Sequence, residues 1–344
     1  MGLRFPEDLD KWRRWHERQH RLRLVRQQAR RALRRPPASL LVEVRRGGPD
    51  ADLVVALEAI HASVRASVAE VLTHLDPARV VVVAPSGSGQ VLTAWPPPTV
   101  VALDELGPTL GRPRAVLAAG HYTAIGAAAH AHATATGAPF LVAQHGLLTP
   151  LAPPLAPEAR LLAWSEADAA FWSAGRADVT TTVVGSQLLW QAGTSTRSET
   201  VPATPRLTYL GQLHGAELRR SDLSRAAGDF CRRHGAVYRP HPSERDRLSR
   251  LTHARWRREG IEVDDGAVAL ADLQSAMVSV FSTGVLEAAA RGRDAWVAFP
   301  DPPRWLEEFW ERYAMGCFGG APTAAPDRPT DEPAHAIARL LEDL

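Results

Sequence analysis

Glycines and polar side chains cluster directly after short apolar runs of the sequence, and their types suit anion binding and proton transfer. Six clusters stand out: Ser86, Gly87, Ser88 and Gly89; Gly120 and His121; Gln144, His145 and Gly146; Gly211, Gln212, Leu213, His214 and Gly215; His241, Pro242, Ser243 and Glu244; and Ser282, Thr283 and Gly284. Glycine lets a backbone approach a ligand closely, and hydroxyls and imidazoles donate hydrogen bonds to phosphate oxygens. A single cluster of this kind usually marks a turn, whereas six at equivalent positions indicate a binding face.

Residues 282–284 are the ones best suited to hold an anion. They precede a predicted helix, 285–291, whose first backbone N–H groups and dipole favour negative charge. Glu287 lies about one turn into that helix, where its carboxylate could accept a hydrogen bond from a sugar hydroxyl. The alternative is ordinary helix capping by Ser282, and one residue can serve both purposes.

Histidines supply the second kind of chemistry. His241 is fixed between two prolines, with Arg239 and Glu244 close by in sequence, and could donate to a phosphate. His145 is the best candidate for a general base and His121 the second, because an imidazole accepts protons near neutral pH. Either of these two could instead bind phosphate.

Alternating strands and helices from residue 40 onward must position these clusters. Apolar runs without polar alternation, separated by helical segments, indicate parallel sheets covered on both faces, and ligands bind outside the carboxyl ends of such strands. The predicted strands are 39–44, 80–84, 100–103, 115–119, 140–143, 160–164, 181–184, 207–210, 236–239, 261–263, 277–281 and 295–299. Residues 52–75 are predicted to form a helix.

The chain is predicted to contain two Rossmann-like domains. A polar segment rich in Ser, Thr and Pro, 191–206, separates domain 39–190 from domain 207–318. A basic amphipathic helical arm, 1–38, precedes them, and a tail with a terminal helix, 319–344, follows.

The net charge of +2 is the sum of a basic N-terminal arm and a remainder of the chain that is acidic. Residues 1–35 carry twelve basic and four acidic side chains, a net charge of +8. Trp12, Trp15, Leu22, Val25, Ala29 and Leu33 recur at helical spacing in that arm. Three interpretations stay open: packing on its own domain, contact with an anionic membrane surface, and nucleic-acid binding, which is the weakest because no reading motif accompanies it.

Composition excludes several classes of protein. Two cysteines exclude a disulfide framework, and no run of about 20 apolar residues is present to span a membrane. The charged N-terminus lacks the apolar core of a secretory signal. We therefore expect a cytoplasmic protein, peripheral at the inner face of the membrane if the arm binds lipid.

Three motifs of the second half resemble a known superfamily. YLGQLHG, RPHPSE and SVFSTGVLEAAARGRDAWV, in this order and spacing, resemble the C-terminal half of GT-B glycosyltransferases. The similarity is to bacterial capsule and surface-polysaccharide enzymes, the group with CDP-glycerol glycerophosphotransferase-like and polysialyltransferase-like proteins. LVAQHG, AWSEADAAFW and VVGSQLL are similar to the end of the N-terminal half, so the resemblance covers residues 80–300. It implies a GT-B fold, with two Rossmann-like domains facing a cleft.

The resemblance also implies roles. In that family the HP and Ser/Thr-Gly motifs hold the donor nucleotide and its phosphates, which maps onto His241, Ser282 and Thr283. The other donor contacts that we predict are Gly211, Gln212, His214, Arg239, Glu244, Gly284 and Glu287. The first half is expected to bind the acceptor, through Ser86, Gly87, Ser88 and Gln144, and to present it to the base.

Polysialyltransferase-like enzymes place an acidic D/E-D/E-G base before the HP motif. Here Asp264, Asp265 and Gly266 follow that motif, and we interpret them as a turn. No metal or other cofactor is implied, because GT-B enzymes stabilise the leaving diphosphate with backbone dipoles and basic groups.

The sequence thus predicts a metal-independent glycosyltransferase that uses a nucleotide-sugar donor and a hydroxyl acceptor in glycan or natural-product biosynthesis. A UDP-GlcNAc 2-epimerase-like sugar-nucleotide enzyme is one alternative. A non-catalytic GT-B scaffold, docked on a membrane through residues 1–35, is the other. Nucleic acid is not expected as a partner.

Overall fold

Apolar runs such as Val80–Pro85, which is buried along almost its whole length, form the central strands of two sheets in the computed structural model. The structure describes residues 2–19, 40–194 and 206–344. The chain divides into two units, Met1–Leu188 with Pro329–Leu344, and Leu189–Arg328. The predicted α/β class with two Rossmann-like sheets is confirmed, because each unit contains its own sheet with parallel strands and helices between them.

The first unit contains an eight-stranded sheet in the order β4-β1-β3-β2-β5-β6-β7-β8. Its strands are β1 (Leu41–Arg46), β2 (Leu53–Ala56), β3 (Val80–Pro85), β4 (Thr99–Ala102), β5 (Ala115–Ala118), β6 (Phe140–Ala143), β7 (Arg160–Ala163) and β8 (Thr180–Val183). β2, β3 and β5 to β8 are parallel, as predicted, but β1 pairs antiparallel with both β3 and β4. The short segment between β1 and β2 reverses the direction of the chain, so β1 runs antiparallel to β3, which lies between these two strands.

The helix predicted over 52–75 is wrong in its first half. Residues Leu53–Ala56 form β2, which is fully buried between β3 and β5, and helical structure begins only at Ala62. β-Branched residues in a short apolar run fit a buried strand as well as a helix face, and pairing on both sides decides the outcome here. This difference matters for function, because it places residue 58 just beyond the carboxyl end of a central strand.

Helices cover both faces of this sheet and enclose two clusters of buried side chains. The α-helices of the first unit are α1 (Leu9–Gln19), α2 (Ala62–Val64), α3 (Leu106–Leu110), α4 (Ala124–Thr136), α5 (Glu166–Trp172) and α11 (Pro333–Glu342), with α6 (Gln187–Thr194) at the boundary between the units. α11 is the predicted terminal helix, and its apolar face, including Ile337 and Leu341, belongs to the core of the first unit. α6 continues through Thr194, so the predicted linker begins inside a helix.

The described part of the basic arm packs on the first unit. Trp12 of α1 is buried, its indole N–H donates to the Leu151 carbonyl at 2.8 Å, and its ring meets Tyr122 edge-on with centroids 5.7 Å apart. Residues 1 and 20–38 of the arm, residue 39 of the predicted strand 39–44, and residues 195–205 of the predicted linker lie outside the described residues. Contact of the arm with a membrane stays a prediction; within the described ranges, no helix is long and apolar enough to cross a bilayer.

The second unit contains a four-stranded parallel sheet in the order β10-β9-β11-β12. Its strands are β9 (Leu207–Leu210), β10 (Val237–Arg239), β11 (Ala276–Ser279) and β12 (Ala295–Val297), and its helices are α7 (Arg220–His234), α8 (Arg247–Arg258), α9 (Thr283–Ala290) and α10 (Arg304–Arg312). The strand predicted at 261–263 is reduced to one bridge between Val263 and Tyr238.

Each sheet has a point where the strand order reverses. In the first unit the chain passes from β2 to β3 on one side, and later to β5 on the other side of β2. In the second unit β9 is followed by β10 on one side and by β11 on the other. The crevice outside the carboxyl ends of two such strands is where open α/β sheets bind ligands. These positions are β2 and β5 in one unit and β9 and β11 in the other.

Candidate functional site

In the first unit, several buried polar atoms after three neighbouring strands have no hydrogen bond of good geometry to the part of the chain that the structure describes. They are both carboxyl oxygens of Glu58, after β2, Nδ1 of His121, after β5, and Nδ1 of His145, after β6. The Gly120 amide and the Thr123 hydroxyl lie close to Glu58, and the Ala143 backbone lies close to His145, without completing such a bond. Buried polar atoms are nearly always satisfied, so a group of orphaned ones beside a strand-order reversal indicates a ligand site.

Glu58 lies against the first turn of α4. Thr123 caps that helix by accepting a hydrogen bond from the Gly126 N–H at 3.1 Å. A Cβ atom added to Gly126 would lie 2.2 Å from Glu58 Oε1 and 2.0 Å from the Gly120 carbonyl oxygen. Only glycine at position 126 therefore leaves room for the carboxyl group.

Burial raises the pKa of Glu58 to about 8, although the Gly120 amide and the Thr123 hydroxyl favour the charged form. The carboxyl group is therefore mostly protonated at neutral pH. A group with a pKa in this range can gain or lose a proton at little cost near physiological pH.

His145, the predicted base, is held by Tyr122. The phenol oxygen lies 3.1 Å from His145 Nε2, and the two rings are nearly parallel. Burial, with a smaller contribution from the nearby His61, lowers the pKa of His145 to about 4, although the Ala143 backbone opposes the shift. Burial likewise lowers the pKa of His121, the second predicted base, to about 4, and His130 adds to the effect. Both imidazoles are neutral at pH 7 and are weak proton acceptors.

The predicted acceptor loop after β3 is tied to β1. Glu43 accepts hydrogen bonds from the Gly87 N–H and the Ser88 hydroxyl, both at 2.8 Å, and pairs with Arg45 at 3.1 Å. Ser88 is fully buried, whereas Ser86 is exposed and donates to the Leu41 carbonyl. These contacts fix the shape of the loop, and a ligand can reach only its exposed part.

Gln144, the other predicted acceptor contact, is buried and satisfied inside the unit. Its side-chain oxygen accepts from the Trp164 N–H at 2.9 Å, and its nitrogen donates to Asp168 at 3.1 Å. The Trp164 indole N–H donates to the Gln144 carbonyl at 2.8 Å. The residue therefore joins the ends of β6 and β7 and positions His145 next to it.

In the second unit the corresponding network centres on Glu244, whose side chain is completely buried. It accepts hydrogen bonds from the Tyr238 hydroxyl at 2.9 Å, the Leu213 N–H at 2.9 Å and His253 at 3.0 Å. Burial raises the pKa of Glu244, but hydrogen bonding by its neighbours, His214 among them, outweighs burial and holds it at about 2. Glu244 is predicted to contact the donor, but this position suits a residue that anchors the loops carrying other groups.

Those other groups are two stacked histidines. His214, after β9, and His241, after β10, lie with ring centroids 3.8 Å apart and planes within 18°. His214 Nδ1 is 4.0 Å from Glu244 Oε1, and His241 Nδ1 accepts from the Ser243 N–H at 3.1 Å. Gly211, at the start of the His214 loop, leaves room for the buried network, because an added Cβ would lie 2.3 Å from the Tyr238 hydroxyl oxygen.

Gln212 joins the ends of β9 and β11. Its buried side-chain oxygen accepts from the Ser279 hydroxyl at 3.0 Å and from the Val280 and Phe281 N–H groups at 3.2 and 2.9 Å. The predicted donor contact is thus engaged in positioning. By this link the histidine loop lies beside the loop that leads into α9.

The loop after β11 ends in a capped helix. Ser282 is the N-cap of α9 and accepts from the Gly284 N–H at 3.1 Å, with Thr283 as the first helical residue. Gly284 is buried, and a Cβ there would lie 2.6 Å from Leu210. Glu287 is largely buried and lies 3.6 Å from Arg291, and burial raises its pKa. The capping interpretation of this cluster is confirmed, and anion binding by the N-terminus of α9 stays a prediction.

Arg239, the remaining predicted donor contact, pairs with Asp264 at 2.6 Å and donates to the Val268 carbonyl. It therefore holds the loop 264–268. The turn interpretation of Asp264 to Gly266 agrees with this loop, because the Gly266 N–H donates to Asp264 at 2.9 Å and Gly266 has a φ of 80°.

Comparison with known proteins adds little. No protein-family model matches this chain, and no curated protein matches it. A similar solved structure is that of UDP-GlcNAc 2-epimerase from Methanocaldococcus jannaschii, with 11% identity and a TM-score of 0.42, over 70% of this chain and 81% of that one.

Sequence reasoning missed Glu58, Tyr122, Tyr238 and His253. Glu58 falls inside the helix predicted over 52–75, so the sequence did not place it at a strand end. The signal that could have identified it is an acidic residue directly after the apolar run LVVAL. Tyr122 follows His121 directly and could have been included with its cluster. Tyr238 and His253 act only through Glu244, and no local pattern indicates that contact.

Two further features lie apart from these clusters. A cavity of about 840 Å³ in the second unit is bordered by Phe230, Trp310 and Phe318, and none of the predicted site residues lines it. Among the residues that the structure describes, no group of three or more His, Cys, Asp or Glu side chains is arranged to hold a metal ion.

Proposed function

We propose that this protein is a nucleotide-sugar-dependent glycosyltransferase, which moves a sugar or a sugar-like polyol phosphate from a nucleotide-activated donor to a hydroxyl acceptor. The observation that carries the proposal is the grouping of His214, His241 and the N-terminus of α9 around the β9–β11 reversal. The resemblance of the same segments to GT-B glycosyltransferases supports it.

Phosphate recognition explains why these groups occur together. Imidazole N–H groups, the Ser282 and Thr283 hydroxyls and the unpaired N–H groups of a helix start all donate hydrogen bonds to anionic oxygens. Hydrogen bonds to a charged group contribute about 1.5–3 kcal/mol each. The second unit would thus bind the diphosphate of the donor and stabilise the negative charge that develops as the sugar leaves.

The first unit supplies different chemistry. Its cluster of Glu58, His121, Tyr122 and His145 contains groups that are neutral at pH 7 and can exchange or accept protons. Such groups suit an uncharged hydroxyl better than a phosphate. We assign the acceptor to this unit.

Nucleotide binding tests the donor site. Calorimetric titration with CMP, CDP, UDP, GDP and dTDP should identify one diphosphate that binds and raises the thermal stability. His214→Ala and His241→Ala should each weaken that binding by about 10- to 100-fold, as expected for one charge-assisted hydrogen bond. His234→Ala is the matched control, because this histidine is exposed at the end of α7 and packs on Phe230 and Phe318.

Two results would change the assignment. If none of the nucleotides binds, the second unit is not a donor site. If a nucleotide sugar incubated without acceptor yields its epimer or free diphosphate, the protein belongs with the epimerase-like sugar-nucleotide enzymes and is not a transferase.

A further inference from the structure

We propose that Glu58 is the catalytic acid–base residue of the first unit and exchanges a proton with an uncharged hydroxyl of the acceptor. This inference rests on the proposed transferase function. It assigns the role of proton acceptor to Glu58, whereas the sequence suggests a histidine for that role. It depends on the position of Glu58, on the poor hydrogen bonding of its buried carboxyl group, and on the charges around it.

The position of Glu58 is that of a ligand-binding residue. It lies two residues beyond β2, and its carboxyl group contacts the loop after β5, so it occupies the strand-order reversal. Both of its oxygens are buried, and neither has a hydrogen bond of good geometry within residues 2–19, 40–194 and 206–344, although the Gly120 amide and the Thr123 hydroxyl lie close by. A buried carboxyl group that is poorly paired costs stability, and such groups beside a ligand crevice are candidates for acid–base chemistry.

The surroundings of Glu58 explain why the substrate group is an uncharged hydroxyl. Tyr122, after β5, is the titratable group that interacts with Glu58. His145 contacts Tyr122, His61 acts in turn on His145, and His121 precedes Tyr122 in the chain. Burial lowers the pKa of all three histidines and raises that of Tyr122, so none of the four is charged at pH 7. Arg13 of α1 and Arg176 are the basic groups that contribute to the low pKa of His121. The groups that shift the pKa of Glu58 besides burial are the Gly120 amide and the Thr123 hydroxyl, which are uncharged and suit a hydroxyl better than an anionic acceptor group.

Glu58 is better suited to take the proton than either predicted histidine. His145 Nε2 is engaged by Tyr122, and a pKa near 4 makes His145 and His121 weak bases at pH 7. Burial raises the pKa of Glu58 to about 8, close to the range in which acid–base catalysis is most effective.

The step balances without a further reactant. The ionised carboxylate of Glu58 accepts the proton of the acceptor hydroxyl as its oxygen forms a bond to the anomeric carbon of the donor sugar. The bond from that carbon to the phosphate oxygen breaks, and its electron pair leaves with the nucleoside diphosphate. Glu58 ends as a carboxylic acid and returns the proton to water.

Three variants of the full-length chain test this assignment. Glu58→Gln keeps the shape and hydrogen-bonding capacity of the side chain but cannot accept the proton, and Glu58→Asp keeps the acid. Glu332→Gln is the matched control, because Glu332 is a partly buried carboxylate of the same unit whose contacts are with His74 and Gln187. Each variant is assayed for transfer to glycerol and to monosaccharide acceptors across pH 5–10, using the nucleotide sugar whose nucleotide binds, and for nucleotide affinity.

We expect kcat of Glu58→Gln to fall by about 10²–10⁴-fold, the usual range for loss of an acid–base group, with nucleotide affinity unchanged. The wild-type rate should rise with pH and level off above about 8, and Glu58→Asp should retain a pH-dependent rate. A Glu58→Gln enzyme that keeps the wild-type rate and pH profile would overturn the inference while leaving the transferase proposal intact.

A second readout needs no turnover. Infrared spectra at pH 7 should contain a protonated-carboxyl band that disappears in Glu58→Gln and persists in Glu332→Gln. The absence of that difference overturns the assignment of Glu58. Failure of the wild-type protein to bind any nucleotide instead overturns the proposed function.

Discussion

The Tyr122 hydroxyl lies 3.1 Å from Nε2 of His145, and this contact determines how the imidazole can act. Burial raises the pKa of Tyr122 above its ordinary value of 10.0, so the phenol keeps its proton and donates it to Nε2. A neutral imidazole that accepts at Nε2 carries its own proton on Nδ1. Nδ1 of His145 is buried beside the Ala143 backbone and makes no hydrogen bond of good geometry to the residues described. With Nε2 occupied by Tyr122, His145 has no free ring nitrogen that could accept a proton, which agrees with the proposal that Glu58 takes it.

The buried carboxyl group of Glu58 should make stability depend on pH. Its pKa is raised from 4.5 in the unfolded chain to about 8, so the contribution of its protonated form is complete below pH 4.5 and is lost as pH rises through 8. Glu58→Gln removes this effect. We expect the variant to gain stability relative to wild type between pH 5 and pH 9, by about 5 kcal/mol at most.

Urea unfolding at a series of pH values measures this difference. Glu43 provides a comparison of opposite sign, because hydrogen bonds from Gly87 and Ser88 lower its pKa below 4.5. The stability that Glu43→Gln loses relative to wild type should be constant above pH 4.5 and should shrink as pH falls below that value. A difference between wild type and Glu58→Gln that stays constant with pH contradicts the burial of an unpaired carboxyl group.

A methyl group at position 126 should disturb both the fold and the site. Gly126→Ala would place a Cβ atom 2.0 Å from the Gly120 carbonyl oxygen and 2.2 Å from Glu58 Oε1. We expect a loss of about 1–3 kcal/mol in unfolding free energy, the usual cost of overpacking, together with a lower transfer rate. Gly146→Ala is the control, since nothing lies within 4 Å of a Cβ at that glycine. Equal unfolding free energies of Gly126→Ala and Gly146→Ala in urea would contradict the close packing of α4 against Glu58.

Sequence patterns were sufficient for most of the sheet and for the positions of the loops. Strands such as Phe140–Ala143 and Leu207–Leu210 have the predicted bounds. Short runs of apolar residues between turn signals usually form buried strands in an α/β chain. β2 was missed because an apolar run of this length also fits a helix, and only its pairing with β3 and β5 resolves the ambiguity.

The sites were predictable by position and much less by role. The strand-end rule indicated the loops of His145, His214, His241 and Ser282, and the structure places each of them at a carboxyl strand end. It could not indicate that Gln144, Gln212 and Glu244 are engaged with their own unit, because their partners are up to 69 residues away in sequence. Nor could it show that burial makes the imidazole of His145 a weak base, since that depends on packing in three dimensions.

The Glu244 network should make the second unit sensitive to acid. Its pKa falls from 4.5 in the unfolded chain to about 2, so the stability that it contributes is present above pH 4.5 and is lost as pH falls toward 2. We expect Glu244→Gln to cost about 3 kcal/mol at pH 7 and progressively less below pH 4.5. Exchange of amide hydrogens in β9 and β10 measures this cost within the second unit. Glu262→Gln, which breaks only an exposed pair with Arg206, is the control, and an equal effect of both variants would contradict a buried network.

The C-terminal helix should stabilise the first unit although it follows the second in sequence. Ile337 and Leu341 of α11 are buried in the core cluster that includes Val64 and Val68. Ile337→Ala should therefore cost about 2–5 kcal/mol, as other large-to-small core substitutions do. Arg339→Ala, two residues further on the exposed side, breaks only a surface pair with Asp331 and should cost less than about 1 kcal/mol. Hydrogen exchange should then accelerate in β2 and β3 of the Ile337→Ala variant and stay unchanged in β9 and β11. Faster exchange in β9 and β11, with β2 and β3 unaffected, would assign α11 to the other unit.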